Sequence, residues 1–217
     1  MPEILTLKND FIKKKEQLFR DNSLRKDSLI FCKSHTLLVE NYIKDLTEGK
    51  NYSFALASAG SFSRHELSPF SDIDLMFISE SFDHNNNDVT ELVKLFWDSG
   101  IEASHTVRDF SDIKKYLKED LHTFTQFFET KYLIGNKQVY DKWNREIFAC
   151  LNDKNIGKLF KEFFSDINDR YEKYGDSPKV LEPNVKLSAG GLRDFQAIEW
   201  MYILKNKTLI NKDDNII

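Results

Sequence analysis

The chain has 217 residues, 41% hydrophobic and 30% charged, with a formal net charge of −4. That is enough for one large domain or two small ones, and the composition is that of a globular protein. The acidic balance argues against broad electrostatic capture of nucleic acid, though not against a small anionic ligand held locally by a metal.

Eighteen Phe residues supply core material, and two cysteines, Cys32 and Cys150, stand far apart without metal-ligand spacing. Such sparse cysteine suits free thiols in a reducing compartment. No apolar run approaches a membrane span, and the first residues, MPEILTLKNDFIKKKEQ, lack a signal-peptide core. The expectation is a cytoplasmic protein that works without a membrane.

Ile4, Leu7, Phe11 and Leu18 fall at helical spacing and predict a helix over residues 3–20. Leu29, Ile30, Leu37, Leu38, Tyr42, Ile43 and Leu46 predict a second helix over 27–48, with Gly49 as its stop. YSFALAS (52–58) reads as a buried strand. A loop or short helix covers 61–70, with Pro69 confining any helix to the residues before it, and a second strand covers 72–79. The polar loop DHNNND (83–88) precedes a helix over 88–98, Gly100 closes it, and IEASHTVRD (101–109) reads as a third strand. From 111 to about 173 the pattern is helical, with breaks near Gly135–Asn136 and Asn152–Asn155. A loop rich in Gly, Pro and Ser follows at 175–191, and a final helix spans 192–206. The fold class expected is α+β: N-terminal helices (1–50), a core around a small mixed β-sheet (51–110) and a C-terminal helical domain (111–217). The polar tail NKDDNII follows a helix that needs a packing partner, so the chain is expected to be a piece of something longer.

The chemistry concentrates in AGSFSRHELSPFSDIDLMFI (59–78). Residues two apart on a strand project from one face, so Asp72 and Asp74 point together. Two adjacent carboxylates repel, and a divalent cation relieves this while recruiting phosphate oxygens. Gly60 lets backbone N–H groups approach a phosphate, Ser61 adds a hydroxyl donor, and Arg64 is a candidate to neutralise a triphosphate. The bland alternatives are a surface Asp-x-Asp, and an Arg64 tied up in a salt bridge to Glu66 or to an aspartate.

Gly-Ser, ten residues, then Asp-x-Asp resembles the polymerase-beta-like nucleotidyltransferase superfamily. Within it, Arg64, Glu66, Leu67, Pro69 and Ser71 to Leu75 resemble the PII uridylyltransferase/uridylyl-removing enzymes and related signal-transduction nucleotidyltransferases. LFWDSGIEASHTVRD (95–109) and EPNVKLSAGGLRDFQAIEW (182–200) resemble two further blocks of that family, in the same order. The resemblance implies a nucleotidyltransferase sheet with helices on one side, followed by a helical substrate domain. It implies magnesium, with manganese as a substitute, on Asp72 and Asp74, and a nucleoside monophosphate moved from UTP or ATP to a protein acceptor of PII type. It also implies a third carboxylate on a neighbouring strand, to help hold the metal and to assist deprotonation of the acceptor, for which Glu102 is the candidate against an exposed strand-edge role. Lys186 and Arg193 become candidate nucleotide contacts, with Gly190–Gly191 allowing close approach. Asp194 reads as a helix cap, and His105 as a structural hydrogen-bonding histidine rather than a catalyst.

Relatives carry glycine where this chain has Ser61, Ser63 and His65, so the resemblance leaves base and acceptor open. No His-Asp pair accompanies His35, His65, His84, His105 or His122, so neither a nucleotide-removing activity nor glutamine sensing is expected in this chain. Two other functions compete: a non-catalytic nucleotide-binding regulatory module of a longer signalling protein, and an adenylylating enzyme acting on a small molecule or a toxin partner. The intact Gly-Ser and Asp-x-Asp favour an enzyme over the module.

Overall fold

A computed structural model describes residues 2–21, 27–81, 87–176, 182 and 184–209, with side chains from Ile4. Most of the polar loop at 83–88, part of the loop at 175–191 and the tail from 211 lie outside the described residues. Contacts divide the chain into two compact units: residues 1–112 with 129–143, and residues 113–128 with 144–217.

The first unit opens with helices α1 (Pro2–Arg20) and α2 (Ser28–Leu46). Asp27 caps α2 by accepting from the Leu29 and Ile30 amides at 3.1 Å each, which satisfies two of the helix's orphan donors. Strand β1 (Ala55–Ala59) runs directly into the single turn α3 (Gly60–Ser63). Strand β2 (Ile73–Ser79), helix α4 (Asp88–Asp98) and strand β3 (Ala103–Asp109) follow. These elements match the sequence reading to within a few residues. Asp72 and Glu102 each stand one residue ahead of their strands.

One expectation is corrected. The stretch from 111 to about 173 is not helical throughout, because Thr130–Gly135 is a fourth strand, β4. Its TKYLIG carries β-branched and aromatic residues that favour a strand, and pairing with β1 decides the matter. The sheet order is β3-β2-β1-β4, with β1 antiparallel to both neighbours and β2 parallel to β3. The architecture is α+β with a small mixed sheet.

Alternation gives the sheet two faces. Leu56 of β1 pairs with Phe77, and these together with Leu75 join the main core. Phe11 of α1, Val39, Tyr42, Ile43 and Leu46 of α2, and Leu92 and Phe96 of α4 pack into that same core. Phe11 stacks on Tyr42 at 4.1 Å between centroids, and the Tyr42 hydroxyl donates to the Ser99 carbonyl at 2.9 Å. Asp74 lies on the opposite face, with Ala55, Ala57, Met76 and Ile78.

The second unit holds most of α5 (Phe110–Glu119), α6 (Leu121–Gln126), the end of α7 (Lys137–Ala149), α8 (Asp153–Tyr174) and α9 (Leu192–Asn206). Asn152 and Asn155 form a reciprocal capping box at the head of α8. Phe163 of α8 stacks on Trp200 of α9 with centroids 5.9 Å apart. No helix among the described residues is long and apolar enough to cross a membrane.

Candidate active site

Asp74 is half-buried near the start of β2, and Asp72 is exposed just ahead of it. Asp74 is level with Ser104 in the parallel register, and the Ser104 hydroxyl donates to Asp74 Oδ1 at 2.5 Å. Carrying the register one pair beyond Ile73↔Ala103 sets Asp72 level with Glu102. Alternation then assigns Asp72, Asp74, Glu102 and Ser104 to one face of the sheet. Glu102 is exposed. Among the described residues, no three His, Cys, Asp or Glu side chains converge closely enough to hold an ion by themselves. Magnesium is commonly held by one or two carboxylates, with substrate phosphates and waters completing its shell. The Asp72–Asp74 pair matches that donor set.

Gly60 makes the site possible. Its φ is +55°, a region that disfavours side chains, and a β-carbon there would lie 3.1 Å from Asp74 Oδ2. Glycine therefore lets the turn after β1 close onto the carboxylate. Ser61 is half-buried in that turn.

Arg64 makes two ion pairs, to Glu66 Oε2 at 2.7 Å and to Glu129 Oε1 at 2.8 Å, with its side chain 12% exposed. Of its two expected roles, the structure displays the salt bridge. Sequence reasoning missed Glu129, which immediately precedes the unrecognised β4. An acidic residue heading a short apolar strand was the one available signal.

His65 takes φ +61°. Its Nε2 faces Lys131 Nζ and sits 3.4 Å from Glu40 Oε1, while Lys131 reaches the same carboxylate oxygen at 3.2 Å. Glu40 is buried on α2, so this cluster ties the loop and β4 to the helical layer. His105 packs edge-on to Phe77, 5.8 Å between centroids, on the face away from Asp74. The register of Arg108 with Ile78 assigns it to the Asp74 face.

Lys186 and Arg193 belong to the second unit. Lys186 is exposed, and its carbonyl accepts from the Arg193 amide at 3.0 Å. Arg193 donates to Gln196 Oε1 at 2.9 Å and lies over the Trp200 ring at 5.7 Å. Gly191 has no room for a side chain, since a β-carbon would meet the Ser188 carbonyl oxygen at 2.8 Å. Asp194, in the first turn of α9, accepts from Arg170 Nη2 at 2.8 Å, the Tyr171 hydroxyl at 2.6 Å and the Gly190 amide at 2.7 Å. Burial pushes its carboxyl upward, but these hydrogen bonds outweigh burial and hold it below the usual range. Asp194 therefore ties the Gly190–Gly191 loop to α8, which is more than a helix cap.

A turn carrying Gly-Ser after one strand, closed onto an Asp-x-Asp that opens the antiparallel next strand, defines the nucleotidyltransferase class. Comparison with known proteins narrows it. The family described as GlnD PII-uridylyltransferase matches residues 158–213. A bifunctional uridylyltransferase/uridylyl-removing enzyme of Hydrogenovibrio crunogenus is 30% identical over 174 residues, covering 78% of this chain and 20% of the relative. Enzymes of the same description from Nitrosospira multiformis and Bordetella pertussis are 28% and 34% identical, over 86% and 67% of this chain and 22% and 17% of theirs. The similarity is thus to the PII uridylyltransferases, over most of this chain. The chain spans about a fifth of the length of these relatives.

Proposed function

We propose that this chain is a magnesium-dependent nucleotidyltransferase that moves a nucleoside monophosphate from UTP or ATP onto a hydroxyl of a protein acceptor resembling PII. The observation that carries this reading is the packing of Gly60 onto the Asp74 carboxylate. It puts a side-chain-free turn beside an acidic pair, the arrangement a metal-bound triphosphate needs. The relatives' description as uridylyltransferases supports UTP as the first nucleotide to try.

Asp72 and Asp74 would hold magnesium, which when bound offsets the charge of the triphosphate and of the leaving pyrophosphate. The Ser104 hydroxyl holds Asp74 Oδ1 in place, so the carboxylate needs little reorganisation on binding. The acceptor oxygen attacks the α-phosphorus, the bond to the bridging oxygen breaks, and pyrophosphate leaves with that electron pair. Glu102, level with Asp72, would take the proton of the acceptor hydroxyl. Ser61 would donate to a phosphate oxygen.

The test is transfer of label from UTP and ATP radiolabelled at the α-phosphorus, with magnesium or manganese, onto a PII protein and onto proteins of a cell lysate. Wild-type chain should label an acceptor. Asp74→Asn should lower transfer by at least roughly 10²-fold, the usual loss on removing a preorganised electrostatic group. Equal labelling by the variant would remove Asp74 from the mechanism, and no labelling with either nucleotide would sink the transferase reading.

A further inference from the structure

The turn that carries Gly60 and Ser61 is held from outside itself. The carbonyl of Glu129 accepts from the Gly60 amide at 3.2 Å and from the Ser63 hydroxyl at 2.8 Å. The carboxylate of the same residue pairs with Arg64, which follows directly after that turn. Glu129 thus grips both ends of the turn, by main chain at its head and by side chain at its tail. Arg64 and Glu129 side chains are only 12% and 11% exposed, so solvent screens the pair weakly.

Charge decides what Arg64 is free to do. One guanidinium serves two carboxylates, Glu66 and Glu129, so an incoming phosphate must compete with both. A triphosphate drawn to Arg64 would have to displace a nearly buried partner and strand its charge, which is costly. The planar fork of Arg64 is also already engaged at both Nε and Nη1. We infer that Arg64 and Glu129 act together as positioning residues that clamp Gly60 against Asp74, and that Arg64 does not touch the nucleotide. This rests on the nucleotidyltransferase reading above and deepens it.

The test is a double-mutant cycle of Arg64→Gln and Glu129→Gln, read by UTP and UMP binding with magnesium and by transfer kinetics. For a clamp, each single variant should lower kcat on the order of 10-fold to 10²-fold by misplacing the turn, with a smaller change in KM. The double variant should be no worse than either single one. If Arg64 touches the triphosphate, Arg64→Gln weakens UTP more than UMP, and Glu129→Gln tightens UTP by releasing the guanidinium. That pattern overturns the inference.

Hydrogen exchange at the Gly60 amide supplies a readout that needs no nucleotide. Both single variants should speed it, and unchanged exchange overturns the clamp even if kinetics shift. Should the wild-type chain bind no nucleotide, the proposed function fails while exchange still decides the clamp. Arg64→Lys keeps the charge but cannot serve both carboxylates as a fork, so it gives the same comparison if the Gln variants do not fold.

Discussion

Replacing Gly60 by alanine separates two effects at the heart of the site. The first is backbone: at φ +55° a β-carbon adds about 1–2 kcal/mol of strain. The second is contact: the new carbon would sit 3.1 Å from Asp74 Oδ2, while Ser104 holds the other carboxylate oxygen. Moving the carboxylate aside loosens a charge-assisted hydrogen bond, a loss of about 1 kcal/mol for a half-exposed group. Gly49 isolates the first effect, since its φ is +73° and nothing lies within 4 Å of a β-carbon there. Gly49→Ala should therefore destabilise by about 1 kcal/mol, and Gly60→Ala by about 2 kcal/mol or more. Urea unfolding followed by circular dichroism resolves a difference of that size. In an Asp74→Ala background, Gly60→Ala should cost no more than Gly49→Ala does. Equal cost at the two glycines in the wild-type background would refute the claim that Gly60 is fitted to Asp74.

Three further outcomes follow from the geometry. His65→Gly should be more stable than His65→Ala by about 1–2 kcal/mol, because both lose the contact with Glu40 and Lys131 but only alanine keeps the strain at φ +61°; thermal unfolding of the two variants checks it, and an alanine variant at least as stable would count against the argument. Burial holds the His35 imidazole below its ordinary value despite a bond to the Leu67 carbonyl, so the unfolded chain takes up a proton that the folded chain refuses. Stability should then fall as pH drops through about 6.5, and His35→Gln should flatten that slope in urea titrations at several pH values. Arg170→Met should destabilise by about 2–3 kcal/mol, less than a fully buried pair because Asp166 and Asp194 are partly exposed. Faster hydrogen exchange of the α8 and α9 amides would register that loss, and unchanged exchange would mean Asp194 is held without it.

Most of the sheet was legible because its signals are local. Leu75 to Ile78 is a short apolar run headed by two acids, Gly49 and Gly100 stop helices, and Leu192–Asn206 emerged with the bounds expected. Strand β4 was hidden for the opposite reason. TKYLIG sits between helices α6 and α7, and only its long-range pairing with Ala55–Ala59 makes it a strand. Missing β4 also hid Glu129, and with it the fate of Arg64. His65 was half legible: the resemblance implies glycine there, and a left-handed backbone is what glycine accommodates without strain. What the spacing of Asp72 and Asp74 could not convey is Ser104, a partner supplied by register across a parallel pair.

Strand β4 also bears on how the chain is synthesised and cut. The sheet needs residues on both sides of 113–128, a segment that belongs to the second unit. A fragment stopped at Phe110 would keep Gly60, Asp72, Asp74 and Glu102, yet leave β1 with an open edge and Gly60 without the Glu129 carbonyl. Such a fragment would present an apolar template for self-association, as unpaired edges do. On the ribosome, likewise, the turn cannot be locked until the chain has emerged past Gly135. The last of the four described strands to be made is thus the one that finishes the first residues of the site.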